Sequence, residues 1–162
     1  MRSALAKPVR RSVPPPIISG MPSARHSGCA IRAAEALQLP SRIGGSRPLS
    51  CTAVGKAPLA FSGPELTEEV LSRPLPGLTP HSITDPARLR MALEKIQVSG
   101  LAYEEQEAAA GVSCIAAPVF AGGSTVAALS VAVPRTRFSP GRLAPAVRTA
   151  ALGLSRVLRT GG

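Results

Sequence analysis

The sequence predicts an α+β domain in which helices flank an antiparallel sheet. Helix start signals recur between Thr52 and Pro86, two apolar runs surround a Gly-Gly turn, and the C-terminal stretch has apolar residues at helical spacing. With 162 residues, the chain is long enough for one domain and too short for two full-sized ones.

Two short helices are expected at the start of the globular part. Thr52 is a suitable N-cap for a helix that runs from the next residue toward Phe61, with Pro58 inside it. Because proline lacks the N–H that an interior position needs, this helix is expected to kink there. A second helix, residues 65–71, follows a proline and has acidic residues in its first turn, which suits the positive end of the helix dipole.

A third helix has the clearest start signal. Asp85 can cap free amides, and Pro86 suits the first helical position. A Pro-rich turn at residues 74–80 precedes it, and Gly100 is an expected C-terminal residue. Its apolar face is predicted to consist of Leu89, Leu93 and Ile96.

Three strands are expected after this helix. Residues 101–104 form the first, and an acidic loop at residues 105–110 follows. Residues 112–120 are almost continuously apolar, which fits a strand buried on both faces, and residues 125–133 are similar. The intervening turn at Gly122-Gly123 predicts that these two strands form a hairpin.

A long helix is predicted from Ser139-Pro140 to the C-terminus. Its apolar residues recur at spacings of four and three: Leu143, Val147, Ala150, Leu154 and Val157. Its arginines mostly fall on the other face: Arg142, Arg148, Arg156 and Arg159. This pattern is typical of an amphipathic helix.

The N-terminal residues differ in composition from the rest. Residues 1–41 are rich in Pro and Arg without a sustained hydrophobic period, which predicts a disordered arm before a domain at residues 42–162. The net charge of +10 is unevenly distributed along the chain. Residues 1–47 contain eight basic residues and one acidic residue, and residues 48–134 contain five basic and eight acidic residues. Residues 135–162 contain six basic residues and no acidic one. Non-specific nucleic-acid binding by the arm is therefore one hypothesis. With 2% aromatic residues, a base-stacking surface is hard to build.

The three cysteines, Cys29, Cys51 and Cys114, are odd in number and lack metal-ligand spacing. No disulfide framework, metal site or cofactor is expected, and reduced thiols favour a cytoplasmic location. No segment reaches the run of about 18 apolar residues that a membrane span needs. The Arg- and Ser-rich leader leaves an organelle transit peptide as an alternative.

Several sequence blocks between residues 42 and 160 resemble one family in order and spacing. They are Gly44-Gly45-Ser46-Arg47-Pro48-Leu49-Ser50-Cys51-Thr52-Ala53-Val54-Gly55-Lys56-Ala57, Leu78-Thr79-Pro80, Ile83-Thr84-Asp85, Gly100-Leu101-Ala102-Tyr103, Glu107, Gly111-Val112-Ser113-Cys114-Ile115-Ala116-Ala117-Pro118-Val119 and Ala127-Ala128-Leu129-Ser130-Val131. Together they resemble the effector-binding domain of the IclR family of bacterial transcriptional regulators. The resemblance implies a GAF-like sheet flanked by helices, a small-molecule pocket, association into dimers and tetramers, and no enzymatic activity.

The chain departs from the family pattern in its N-terminal part. Family members carry a winged helix-turn-helix, a linker helix and the first sheet strands before the Gly-Ser-Arg-Pro-Leu segment, whereas here only the Pro/Arg-rich arm occupies this space. Pro58 replaces a usual aliphatic residue, and the turn at Gly122-Gly123 is shorter than usual. We therefore expect a domain truncated at its N-terminal strands and lacking its own DNA reader. We expect a homo-oligomer or a hetero-oligomer with a full-length paralogue. The chain would reach DNA only indirectly, through the paralogue, or act as a free sensor; a non-functional truncated copy is the alternative.

The resemblance also implies where an effector binds. It places the carboxylate of a small organic acid near the backbone amides of Ala53 and Val54. A helix that starts after Thr52 independently favours an anion there, because its first N–H groups have no partner within the helix.

Three further residues match family positions that line the pocket: Glu104, Cys114 and Ser130. A second hydroxyl that the family often has two residues after the serine is Ala132 here, which removes one hydrogen bond to a ligand. Cys114 could instead be a core thiol, and Ser130 an ordinary strand hydroxyl.

The other polar residues are expected to be structural. Lys56 is predicted at the surface or at a helix end, and Glu105 and Glu107 in a solvated loop. His26 and His81 lie in polar turns without partners at ligand spacing. An enzyme with Cys114 as nucleophile and His81 as base has little support, because nothing orients the pair and the strand around the cysteine is apolar.

Overall fold

The computed structural model describes residues 25–27 and 46–160, which form an α+β domain, as predicted. Its strands are β1 (Arg25–Ser27), β2 (Ser46–Pro48), β3 (Ala102–Glu105), β4 (Val112–Ala121) and β5 (Ser124–Pro134). Its α-helices are α1 (Ala53–Leu59), α2 (Pro64–Leu71), α3 (Pro86–Ser99) and α4 (Pro140–Thr160). Short 3-10 turns, Leu49–Cys51 and Arg135–Arg137, precede α1 and α4.

The main sheet of the described residues has three antiparallel strands in the order β3-β4-β5. β4 is central, and its residues 113–119 are buried. The hairpin between β4 and β5 turns at Gly122 and Gly123, which both have positive φ and therefore favour glycine. The predicted strands and hairpin are confirmed, with a register irregularity at Val119/Phe120 that the sequence pattern does not reveal.

The alternation of side chains along β4 creates two separate cores. Cys114 and Ala116 belong to a core covered by α1, α2 and α3, whereas Ile115, Ala117 and Val119 belong to a core covered by α4. The sheet is thus a middle layer between two sets of helices. We call the side of the sheet under α1 the α1 face.

Helix α1 begins as predicted and ends earlier than predicted. The Thr52 side chain accepts a hydrogen bond from the N–H of Gly55 at 3.1 Å, so Thr52 is the N-cap. The helix ends at Leu59 rather than near Phe61, one residue after Pro58. A Cβ atom on Gly55 would lie 2.5 Å from the carbonyl oxygen of Leu49, so the glycine permits the helix to pack directly against the preceding turn.

Helices α2 and α3 confirm their sequence signals. Each begins with proline at its first position. The Asp85 side chain accepts from the N–H of Ala87 at 2.9 Å, and Gly100 ends α3 with φ of 68°. The predicted apolar face of α3 is buried in the α1-face core: Leu89, Leu93 and Ile96.

The buried face of α4 differs by part of a turn from the apolar stripe in its sequence. Val147 and Ala151 are buried against the sheet, and Leu143 packs beside them, whereas Leu154 and Val157 are 44% and 65% exposed. Ala150 is exposed as well. The contacting positions repeat every four residues, and the next one is polar: the Ser155 hydroxyl accepts from the N–H of Phe120 at 3.0 Å. Because serine is polar, a hydrophobicity pattern does not reveal that this position faces the sheet, and the apolar stripe includes the neighbouring Leu154 and Val157 instead.

A second, two-stranded sheet joins Arg25–Ser27 to Ser46–Pro48, with Arg25 opposite Pro48. These three N-terminal residues lie within the arm predicted to be disordered, and residues 1–24 and 28–41 of that arm lie outside the described residues. None of the helices described here is long and apolar enough to cross a membrane.

Candidate functional site

Three of the predicted site residues lie on the α1 face, one on each strand of the main sheet. Glu104 of β3 pairs with Cys114 of β4, and Ser130 of β5 pairs with Ala116, two residues farther along β4. The thiol of Cys114 is hydrogen-bonded to the side chain of Ser130. The pairing therefore brings together residues that are separated by up to 26 positions in the sequence.

Small side chains surround these polar groups. Ala53 and Ala57 of α1 are fully buried, as are Ala102 and Ala116 of the sheet. Ala132 occupies the position where the family often has a second hydroxyl, and it packs against the same core. The small residues let α1 lie close to the sheet, and Ala53 and Val54 at its start pack in the same core as Cys114.

The first turn of α1 supplies the other two predicted residues. The Thr52 side chain accepts a hydrogen bond from the N–H of Gly55, and its carbonyl accepts from the N–H groups of Gly55 and Lys56. The N–H groups of Ala53 and Val54 have no acceptor among the residues that the structure describes. These two amides are the ones predicted to receive a carboxylate.

Glu104 is 3% exposed and is held by the loop that follows its strand. Its Oε1 accepts from the backbone N–H of Glu107 at 2.7 Å and from that of Ala108 at 3.2 Å. Burial raises the pKa of Glu104 to about 7, and these two hydrogen bonds oppose the rise. Near neutral pH the carboxyl group therefore exists in both protonation states.

A buried ion pair lies beside Glu104 and contradicts two predictions. Lys56, expected at the surface, is 2% exposed, and its Nζ lies 2.5 Å from Oε1 of Glu107, which was expected in a solvated loop. Burial raises the pKa of Glu107, and the Lys56 ammonium opposes that rise. Lysine and glutamate 51 positions apart give no local signal of pairing, but both belong to the sequence blocks that resemble the family.

The loop that carries Glu107 is fixed by the turn before α3. The Ser82 hydroxyl donates to the carbonyl of Glu107 at 2.7 Å, and the Thr79 hydroxyl donates to that of Gln106 at 2.7 Å. Gln106 has a φ of 61°, and its side chain accepts the N–H of Gly111 at 2.9 Å. The loop is therefore an ordered part of the site and not a solvated connection.

The nucleophile–base hypothesis finds no support in the geometry. Burial raises the pKa of the Cys114 thiol to about 12, so that the reactive thiolate is scarce at neutral pH. His81 is exposed, and its backbone N–H, rather than its ring, bonds to Thr79. Within residues 25–27 and 46–160, no group of three or more His, Cys, Asp or Glu residues could hold a metal ion.

A cleft elsewhere on the surface does not involve the predicted site residues. Its lining residues are Pro48, Ser50, Val70, Arg73, Pro74, Leu75 and Pro76. The Cys51 thiol beside it donates to the carbonyl of Pro76 at 3.0 Å. We assign the candidate site to the α1 face because the convergent polar groups lie there.

Comparison with known proteins gives consistent similarities. A family model described as "Bacterial transcriptional regulator IclR C-terminal" matches residues 30–156. The HTH-type transcriptional regulator Rv1719 of Mycobacterium tuberculosis is 40% identical over 102 residues, which cover 63% of this chain and 39% of that protein. The chain thus spans about two fifths of this relative's length.

Solved structures agree with the sequence matches. An IclR homologue from Microbacterium hydrocarbonoxydans complexed with 4-hydroxybenzoate superposes with a TM-score of 0.73 and 34% identity, covering 76% of this chain and 51% of that one. The C-terminal domain of the Escherichia coli regulator KdgR gives a TM-score of 0.66 and 31% identity, covering 72% of this chain and 74% of that one.

Proposed function

Since the chain belongs to the IclR family of bacterial transcriptional regulators and matches their C-terminal effector-binding domain, we propose that it senses a small carboxylic acid. The observation that carries the proposal is the convergence of five residues on the α1 face. Ala53 and Val54 pack in the same core as Cys114, and their N–H groups have no acceptor among the described residues. Each strand of the main sheet places one polar side chain on this face: Glu104, Cys114 and Ser130.

The chemistry of these groups suits an acid that carries a second polar group. The amides of Ala53 and Val54 are donors and favour a carboxylate. Ser130 and Glu104 can each donate or accept, so they suit a hydroxyl or a carbonyl elsewhere on the ligand. The 4-hydroxybenzoate bound by the Microbacterium relative is an acid of this type and therefore a rational first probe.

Ala132 should make ligand preference different from that of relatives with a hydroxyl at this position. It lies opposite Cys114 and packs into the α1-face core. Without a hydroxyl there, a polar ligand group would lose one partner, at a cost of about 1–3 kcal/mol. An apolar part of the ligand is favoured at this point instead.

The link to DNA is indirect in this proposal. The described residues would act as the sensor, either in a homo-oligomer or in a hetero-oligomer with a full-length paralogue that supplies a DNA reader. Ligand binding would then favour one arrangement of the sensor domains over another and change the spacing of the readers. A cytoplasmic location is part of the same proposal.

A thermal-shift screen of the full chain against small carboxylic acids, including 4-hydroxybenzoate, tests this function. An acid that binds the folded state raises the melting temperature, and the rise grows with the logarithm of its concentration above the Kd. Ser130→Ala should reduce the shift, while Val131→Ala, a change of the adjacent residue on the other face of β5, should not. If no acid in the screen shifts the melting temperature, or if both variants respond like the wild type, the proposed site is wrong.

A variant at the start of α1 tests the amide contacts. Thr52 has φ of −130° and ψ of 144°, which suits a residue before proline, and Ala53 is the first helical residue. Ala53→Pro therefore removes one N–H without breaking the helix. We expect a weaker response to acids and little change in response to their uncharged amides.

A further inference from the structure

The candidate site contains more buried carboxyl groups than buried ammonium groups. Two buried carboxyl groups, Glu104 and Glu107, lie near one ammonium group, that of Lys56, which pairs with Glu107. When both carboxyl groups are ionised, the cluster holds one excess negative charge in a region shielded from water. In the proposed site, a carboxylate ligand would add a second negative charge on the same face of the sheet.

We propose that binding of an anionic acid at this site takes up one proton at the Glu104 carboxylate, and that Lys56 and Glu107 are positioning residues for Glu104. This inference rests on the proposed function and concerns the same site. The Glu104 carboxylate gains a proton from the buffer and becomes a carboxylic acid. Its new O–H then donates to the ligand, so no other reactant is needed.

The hydrogen bonds fix Glu104 where this exchange is required. Oε1 is held by the N–H groups of Glu107 and Ala108, and Glu107 is held in turn by Lys56 of α1. The Ser82 hydroxyl binds the carbonyl of Glu107. These contacts keep the Glu104 side chain from rotating into solvent when an anion binds. Its negative charge is therefore removed by protonation.

The groups that act on Glu104 come from each element around it. Glu107 in the loop raises the pKa of Glu104, and Lys56 of α1 lowers it, although burial is the largest influence. β4 contributes Cys114, whose thiol stays neutral because its pKa is raised to about 12, and β5 contributes the uncharged Ser130. A pKa of about 7 for Glu104 without ligand means that proton uptake takes place at physiological pH.

Isothermal titration calorimetry of the full chain with 4-hydroxybenzoate, in two buffers of different ionisation enthalpy, measures the proton uptake directly. We expect roughly half a proton per bound ligand at pH 7 and a value nearer to one at pH 8. Over the same range, the affinity should fall by up to about tenfold per pH unit. The uncharged 4-hydroxybenzamide should bind without proton uptake.

Two variants identify the proton acceptor. Glu104→Gln keeps the shape of the side chain and should abolish both the proton uptake and the pH dependence of the affinity between pH 6 and 8. Glu105→Gln, an equivalent change at the exposed neighbour that pairs with Arg135, should leave both unchanged. Proton uptake that persists in Glu104→Gln, or is absent in the wild type despite binding, overturns the inference.

The positioning role requires a separate readout. Glu107→Gln removes a negative charge and leaves Lys56, so the pH at which affinity begins to fall should move lower by about one unit. The double variant Lys56→Gln/Glu107→Gln removes both opposing charges. The pH dependence of its affinity should therefore return toward that of the wild type. If the pair had only a structural role, its substitution would weaken binding equally at every pH. That result would overturn the positioning role of Lys56 and Glu107.

The outcomes also separate the two proposals. Acid binding without proton transfer refutes only the inference and leaves the sensing function intact. If neither 4-hydroxybenzoate nor any other acid of the screen binds the wild type, the proposed function fails, and the inference fails with it.

Discussion

Glu104 combines burial with two hydrogen bonds from the following loop, and it lies beside the Lys56–Glu107 ion pair. Its pKa is raised from an ordinary value of 4.5 to about 7. Between these values, the unfolded chain has lost the proton that the folded chain retains. The free energy of unfolding therefore falls as pH rises through this window.

Glu104→Gln should remove this pH dependence. Gln cannot ionise, so the variant should gain on the order of 3 kcal/mol relative to the wild type between pH 4.5 and pH 7. Urea unfolding at several pH values measures the difference. Glu105→Gln is the control, because its carboxylate is half-exposed and paired with Arg135. Equal pH profiles for Glu104→Gln and the wild type would contradict the expected titration.

Cys114 should be unreactive in the folded protein. Its thiol is buried, and burial raises its pKa to about 12, so we expect alkylation by iodoacetamide at pH 8 to be at least about 100-fold slower than in the unfolded chain. Mass spectrometry of a Cys29→Ser variant gives the rates for Cys51 and Cys114 without interference. Rapid labelling of Cys114 in the folded protein would show that the site is open to solvent.

Single residues differ in how well sequence alone predicts them. Thr52, Asp85 and Gly100 were predictable because capping depends on neighbours one to four positions away. The burial of Lys56 with Glu107 was not, because charged residues are rarely buried and the partner lies 51 positions away. The sequence blocks contained both residues but gave no reason to pair them.

At the scale of elements, the contact between α1 and the turn before it depends on Gly55. A Cβ atom there would come within 2.5 Å of the Leu49 carbonyl oxygen and 2.8 Å of the Thr52 hydroxyl. Gly55→Ala should therefore destabilise the domain by about 2 kcal/mol, despite the better helix propensity of alanine. Chemical denaturation measures the change.

Gly153 of α4 provides the matched control for this effect. A Cβ atom on it would meet nothing within 4 Å, so Gly153→Ala should stabilise the protein by about 0.5–1 kcal/mol. The same substitution thus has opposite signs in two helices. Equal effects at both positions would mean that α1 does not pack closely against the turn.

The corrected face of α4 gives another test. Val147 is 2% exposed against the sheet, whereas Val157 is 65% exposed. Val147→Ala should destabilise by about 2 kcal/mol, and Val157→Ala by less than about 0.5 kcal/mol. Both valines belong to the same apolar stripe in the sequence, so a stripe buried along its whole length would give similar losses. Thermal or chemical unfolding of the two variants distinguishes the two assignments.

At the scale of the whole molecule, the order of elements was predictable from local patterns, while the arrangement of the site was not. Periodicity and turn residues identified the helices and the hairpin. The gathering of Glu104, Cys114 and Ser130 on one face depends on strand register, which no local pattern fixes, and came from the resemblance to a family. The comparison with solved structures then confirmed the fold class.

The full chain should unfold in one cooperative transition. Two cores share the central strand β4, so loss of either one exposes the other. Size-exclusion chromatography and calorimetry should show a monodisperse species with a single melting peak. A broad, non-cooperative melt would instead favour the alternative that the chain is non-functional.

The alternation along β4 also separates the effects of substitutions. Cys114 and Ala116 point toward α1, whereas Ile115 and Ala117 point toward α4. One strand thus carries two nearly independent sets of positions in a single stretch of sequence. Changes at the first set can diversify chemistry under α1 while the packing of α4 stays constant. The fold can therefore acquire a new specificity through single substitutions without rebuilding its scaffold.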